Sequence, residues 1–393
     1  MPSSSSEFPI RPSSPDGLLF TGATYRYEFI RPLLEHEDYE PTVVAWRKPL
    51  KGRGPARRVF LKRVLLPPKG ERHPRAWEEA RLATFLHHPN ITHVLGLESH
   101  QGEPYVVLEY LEGCFLETAQ EAALLQGGKL SPAFAAYVAA EVADALHYAH
   151  RSQGEGGQPL HLVHRALSPM RIRLGLQGEV KLGDFGVSWS KLAERLTTPP
   201  QVLRAEVSYA APEVVSFQSF DGRADLYSLG MVLLEVLSGQ HPLDPGDLKM
   251  PPGESSEVAR YNASVHAERT TWASVGELAD RIQRFGPEDV ERVAQEVPAV
   301  LKRILHKALR RNPDDRYQTG AEMRDALREW LHGQGAPFGC KQAVAELAHL
   351  VRERPSPHET GAFPTERGVL LTPEEAALAE EAGGKKKHRK EAP

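Results

Sequence analysis

From Tyr25 onward, three segments are rich in aromatic and β-branched residues and are parted by charged or turn-like breaks: YRYEFIRPLL (25–34), PTVVAWRKPL (41–50) and ARRVFLKRVLL (56–66). That pattern predicts three strands of an antiparallel meander. RAWEEARLATFL (75–86) then spaces its apolar residues as a helix does, and EPYVVLEYL (103–111) returns to the strand pattern. Past Gly113 helical periodicity dominates, in PAFAAYVAAEVADALHYAH (132–150), DLYSLGMVLLEVLSG (225–239), VPAVLKRILHKALRR (297–311) and AEMRDALREWL (321–331). Between the first two of these, MRIRLGL (170–176) and EVKLGDFG (179–186) predict two short strands. Amphipathic helices are expected over 272–285 and 288–297, with their apolar positions packed inward. A small β-rich part followed by a larger helical part is an α+β, two-lobed arrangement.

The ends carry no such periodicity. Residues 1–24 are rich in Ser and Pro and predict a disordered N-terminal arm. Residues 336–393 predict one helix (342–352) and then a disordered Pro/Gly/Glu-rich tail whose basic tip, KKKHRK, reads as a solvated end. An apolar share of 40% with 25% charged residues suits a soluble chain with a real core. Charge is nearly balanced, 48 basic against 52 acidic residues for a net −4, which gives no basic field to attract nucleic acid. The two cysteines, Cys114 and Cys340, are too few for a disulfide scaffold or a cysteine-based zinc site. No apolar run approaches the ~20 residues of a membrane span, and the first residues lack the apolar core of a signal peptide. The expected setting is cytoplasmic.

Seven short signals occur in one order. They are VFLK ending at Lys62, Glu79 in the following helix, HRALSPMRIRL from His164, the triplet Asp184-Phe185-Gly186, the triplet Ala211-Pro212-Glu213, Asp225 opening a long helix, and Arg316 in NPDDRY. Each is weak alone; together, in this order and spacing, they are specific. Over residues 25–335 the sequence resembles the eukaryotic-like (Hanks-type) Ser/Thr protein kinases, with a bacterial flavour in the HRALSP segment. The resemblance implies a two-lobed kinase fold, with an N-lobe over 25–111 and a C-lobe over 112–335. It also implies that Lys62 holds the ATP phosphates, that Glu79 pairs with Lys62, and that Asp184 binds Mg²⁺. Backbone groups of Glu109 and Leu111 would meet the adenine. Glu213 and Arg316 would form a buried pair bracing the helical lobe, and Asp225 would anchor the backbone around His164 and Arg165. Phe185 and Gly186 would be structural members of their triplet.

The departures from the family pattern bear on function. Where the family has the Asp that accepts the substrate hydroxyl's proton, this chain has Ala166, and a methyl group accepts no proton. Losing a positioned base costs about 10²–10⁴ in rate. The lysine two residues on is Ser168, and the metal-binding asparagine is Arg171, whose guanidinium has no lone pair for a metal. The glycine-rich phosphate turn is replaced by LEHEDYEP, in which Glu35, Glu37, Asp38 and Glu40 would repel a triphosphate by about 1 kcal/mol per close charge. Gly52-Arg-Gly54 is read as a hairpin turn and not as a substitute.

Lys62, Glu79 and Asp184 keep ATP in the reading as a weak ligand, while Arg171 weighs against Mg²⁺ and is itself a candidate to reach Asp184 in the metal's place. Glu206, at the position of a family Thr that sits beside the base, is a candidate substitute base. Thr197, Thr198 and Ser208 are candidate phosphorylation sites, with Arg165 as their partner. His147, His150, His161 and His164 are read as packing residues. Three functions stay open. The leading one is a catalytically impaired pseudokinase that regulates or scaffolds, through a protein partner such as an active kinase or its substrate. The others are an active Ser/Thr kinase with a non-standard base and a nucleotide-free interaction module.

Overall fold

The computed structural model describes residues 17–33, 42–52, 54–64, 83–154, 156–185, 207–244, 275–335 and 337–352. Six strands form one sheet in the order β1-β2-β3-β4-β6-β5: β1 (Leu18–Thr21), β2 (Tyr25–Pro32), β3 (Thr42–Pro49), β4 (Arg57–Arg63), β5 (Val94–His100) and β6 (Glu103–Glu109). The expected meander is β2, β3 and β4, paired antiparallel, and the turn carrying Gly52 and Gly54 joins β3 to β4. Gly52 takes φ +104, a conformation that favours glycine at the turn.

Alternation along β4 decides what the site receives. Val59 and Leu61 point into a core shared with Tyr27, Val43, Ala45 and Val107. Phe60 and Lys62 therefore face the other way, and Phe60 packs in a separate cluster with Leu33, Val44 and Phe115.

The sheet is one strand longer at each edge than the sequence suggested, with β1 on one side and β5 on the other. Residues 18–21, expected in the N-terminal arm, are strand β1, with Leu19 and Phe20 buried and Phe20 tilted against Tyr27 and Tyr105 at 4.9 and 5.0 Å. A four-residue strand is too short to show a period, and its stability comes from those aromatic contacts. The rest of the arm, residues 1–16, lies outside the described residues, as do the tail past 352 and most of the expected helix at 75–86.

A second sheet, β7-β8-β9, lies below: β7 (Gly113–Phe115), β8 (Ile172–Gly175) and β9 (Val180–Leu182). The helical part follows as α1 (Leu116–Leu125), α2 (Pro132–His150), α3 (Pro212–Val215), α4 (Arg223–Ser238), α5 (Val275–Arg284), α6 (Pro287–Val293), α7 (Ala299–Ala308), α8 (Gly320–His332) and α9 (Cys340–Arg352). Helix α2 starts at Pro132 behind the cap Ser131, whose hydroxyl accepts from the Phe134 amide at 3.1 Å. Glu346 of α9 accepts from both the amide and the hydroxyl of Ser131, at 2.7 Å each, and so ties the last helix to the start of α2. Helices α2 and α8 pack so closely that a Cβ at Gly320 would run into the carbonyl of Ala143. Helices α5 and α6 bury Leu278, Ile282, Val290 and Val293, with Phe285 buried between them, so their apolar faces are turned inward.

Candidate functional site

The β8–β9 hairpin brings two distant sequence signals together. Its register pairs Ile172 with Leu182, so the next positions outward are Arg171 and Gly183, whose amide donates to the Arg171 carbonyl at 2.9 Å. Asp184 follows, with φ +64, a left-handed conformation that Asp tolerates better than most residues. Both of its carboxylate oxygens are taken. Lys62 Nζ donates to Oδ1 at 2.6 Å, and an Arg171 guanidinium nitrogen donates to Oδ2.

All three partners sit at the floor of the cleft between the two sheets. The exposures are 4% for the Lys62 side chain, 15% for Asp184 and 16% for Arg171. Burial by itself would raise the pKa of the Asp184 carboxyl. The Lys62 ammonium and the Arg171 guanidinium outweigh that and hold it well below the usual carboxylate range.

A magnesium ion needs oxygen ligands with free lone pairs. At Asp184 each oxygen already accepts from a cationic donor whose charge opposes a dication beside it, and one of the two stands where the kinase resemblance expects a metal-binding asparagine. The donor set therefore does not fit Mg²⁺.

Around this floor the backbone is fixed by Asp225, which is fully buried. Its Oδ2 accepts from the His164 amide and its Oδ1 from the Arg165 amide, each at 2.8 Å, and His150 Nε2 lies 2.8 Å from Oδ2. Burial acts to raise the Asp225 pKa, but the His150 contact, His164 and the Arg165 amide prevail and lower it. His164 is also buried. Desolvation lowers its pKa, and its Nε2 donates to the Gly183 carbonyl at 2.7 Å while its ring meets Phe185 edge-on at 4.8 Å. His150 and His164 thus have structural partners. Ala166 lies buried in the same loop, 3% exposed, and offers only a methyl group.

In the helical lobe, Arg316 and Glu213 form a two-pronged pair at 2.6 and 2.8 Å. Glu109, expected to offer backbone groups to a base, donates its amide to the His93 carbonyl at 2.9 Å. Its carboxylate accepts from Lys181 at 2.6 Å.

Ser208, a candidate phosphorylation site, is buried at 7% exposure. Arg165, its expected phosphate partner, lays its guanidinium over the Phe220 ring at 4.7 Å. Glu79, Gly186, Thr197, Thr198, Glu206 and the acidic turn at 35–40 lie outside the described residues.

The sequence reading also missed residues. Phe60, Phe115 and Arg173 line the same cleft as Lys62 and Asp184. Phe115 and Arg173 are direct cross-strand partners on β7 and β8. Alternation along VFLK, which sets Phe60 on the face of Lys62, was the one signal available for the first of them.

The profile of the protein kinase domain family matches residues 52–329. The chain belongs to the protein kinase family. Among curated kinases, the tyrosine-protein kinase MasK of Myxococcus xanthus is 34% identical over 268 residues, which is 67% of this chain and 37% of MasK. The serine/threonine-protein kinase PknJ of Mycobacterium tuberculosis is 31% identical over 265 residues, 66% of this chain and 38% of PknJ. The chain thus spans under two fifths of the length of these bacterial kinases. Among solved structures, the kinase domain of Mycobacterium tuberculosis PknI superposes with a TM-score of 0.51 at 23% identity. The match covers 81% of this chain and 99% of that one, a likeness of fold. Kinase neighbours and the observed two-part architecture agree on an α+β kinase fold. No helix among the described residues is long and apolar enough to cross a membrane.

Proposed function

We propose that this kinase-family chain is catalytically impaired and acts as a regulator or scaffold, by binding a protein partner such as an active kinase or its substrate. One observation carries the reading: Arg171 and Lys62 together occupy both oxygens of Asp184. Phosphoryl transfer is mainly positioning and charge stabilisation, with metal ions bridging the phosphates. Here a fixed guanidinium takes the place at which such an ion would be held.

Ala166 adds to this. A substrate hydroxyl placed beside that loop would find no group there to take its proton, and Ser168 supplies no cation for the transferring phosphate. The described residues that remain hold the two parts together, with Asp184 bridging Lys62 and Arg171. ATP, if it enters, would meet Lys62 and Arg171 as a weak ligand, without a metal. The residues that carry the fold, Asp225, Glu213 and Arg316, serve a docking protein as well as an enzyme. A cytoplasmic site of action fits this role.

The test is transfer of labelled γ-phosphate from ATP to a Ser/Thr-rich acceptor protein, with Mg²⁺ or Mn²⁺, using the full chain. Incorporation at the level of a protein-free control is expected. Incorporation well above that control, and lost in Asp184→Asn, would overturn the proposal.

A further inference from the structure

The far end of the cleft, against the segment that joins the two parts, holds a buried cation. Arg173 on β8 is 6% exposed, yet it lines the same cavity as Lys62 and Asp184. Its guanidinium carbon lies 4.7 Å from the centroid of Phe60, on the six-stranded sheet, and 4.6 Å from that of Phe115, on the lower sheet. One terminal nitrogen donates to the Gly113 carbonyl at 3.0 Å and reaches the Leu111 carbonyl at 3.4 Å.

A guanidinium is planar, stacks on aromatic faces and donates at its edge. A purine makes the same demands of a slot: two apolar faces, one from each sheet, and backbone groups along one edge. Arg173 uses both aromatic faces and the backbone edge at Leu111 and Gly113. We propose that Arg173 is a built-in plug of the base slot, which excludes purine and makes a nucleotide-free cleft the resting state of this chain. With Arg171 on the carboxylate at the other end, the two arginines of β8 and the turn before it occupy the positions of base and metal.

This deepens the proposed function and rests on it for the identity of the cleft, but it fails separately, because adenosine carries no phosphate to transfer. A ligand that binds only the open form sees its affinity reduced by the open fraction, so a plug displaced a tenth of the time weakens binding about tenfold.

The experiment is an adenosine titration followed through the ligand's own purine proton signals, with wild type, Arg173→Leu and Arg173→Lys, each confirmed folded by its thermal transition. Arg173→Lys keeps charge and length but loses the planar fork, and it serves if the leucine variant does not fold. The wild type is expected to show no saturable binding, and at least one variant to bind about tenfold more tightly or better. Saturable binding by the wild type at the affinity of the variants overturns the proposal. So does the failure of every folded variant to bind better than the wild type.

Discussion

Replacing Arg316 by alanine is expected to cost the fold about 3–5 kcal/mol, the range for removing one partner of a buried ion pair. The Arg316 side chain has no exposed surface, and its five donors are almost fully used. Two go to Glu213, while Nε donates to the Arg310 carbonyl at 2.6 Å and a terminal nitrogen to the Arg311 carbonyl at 2.8 Å. The guanidinium also stands 4.9 Å from the Tyr227 ring. Truncation leaves the Glu213 carboxylate, 7% exposed, without its counter-charge, and strips the loop before it of its donors. Urea midpoints with an unchanged slope measure the loss. Arg316→Lys, which keeps the charge but not the fork, should fall between. A loss below about 1 kcal/mol, the worth of a surface pair, would show that the lobe is braced elsewhere.

The second large effect concerns the cleft floor. Asp184→Asn is expected to destabilise by about 3 kcal/mol, because the amide removes the carboxylate shared by a buried ammonium and a buried guanidinium. Sulfate should recover part of the loss by supplying an anion between Lys62 and Arg171, and chloride less. The pH dependence follows from the direction of the shift. The carboxyl is held well below its unfolded value, so its contribution is complete above the ordinary aspartate range, near pH 4, and is lost only as pH falls towards the lowered folded value. Between pH 8 and pH 5 the difference between wild type and Asp184→Asn should therefore stay constant. An asparagine variant as stable as the wild type, indifferent to sulfate, would mean that the two cations do not depend on Asp184.

Much of the fold was legible in the sequence because its long elements have strong periods. The meander and helix α2 are examples: β4 sets a β-branched and aromatic run between charged ends, and α2 carries a capping serine, a proline at its first turn and a run of alanines. The missed elements share a physical reason. Strand β5 fully buries only Val94 and breaks register before Gly96, so it shows no alternation. Strand β7 is three residues long, and α1 begins at Leu116 without a side-chain cap.

The site divides in the same way. Lys62, Asp184 and Arg171 could be named from motif spacing, and the chemistry of a guanidinium in an asparagine's place suggested where it would reach. Arg173, Phe60 and Phe115 could not, since their meeting depends on the pairing of β7 with β8 and on how the two sheets close over each other. Motif spacing carries no information on either.

Arg171 holding the place of a metal is the pivot of the proposed function. Mn²⁺ binding, read from the paramagnetic resonance signal of the free ion, tests this on the wild type, Arg171→Asn and Asp184→Asn. The wild type is predicted to leave Mn²⁺ free at millimolar concentration. Arg171→Asn, which returns Oδ2 and adds an amide oxygen, is predicted to gain one saturable site. A saturable Mn²⁺ site in the wild type that Asp184→Asn removes would contradict this, because a metal would then sit on Asp184 in spite of both cations.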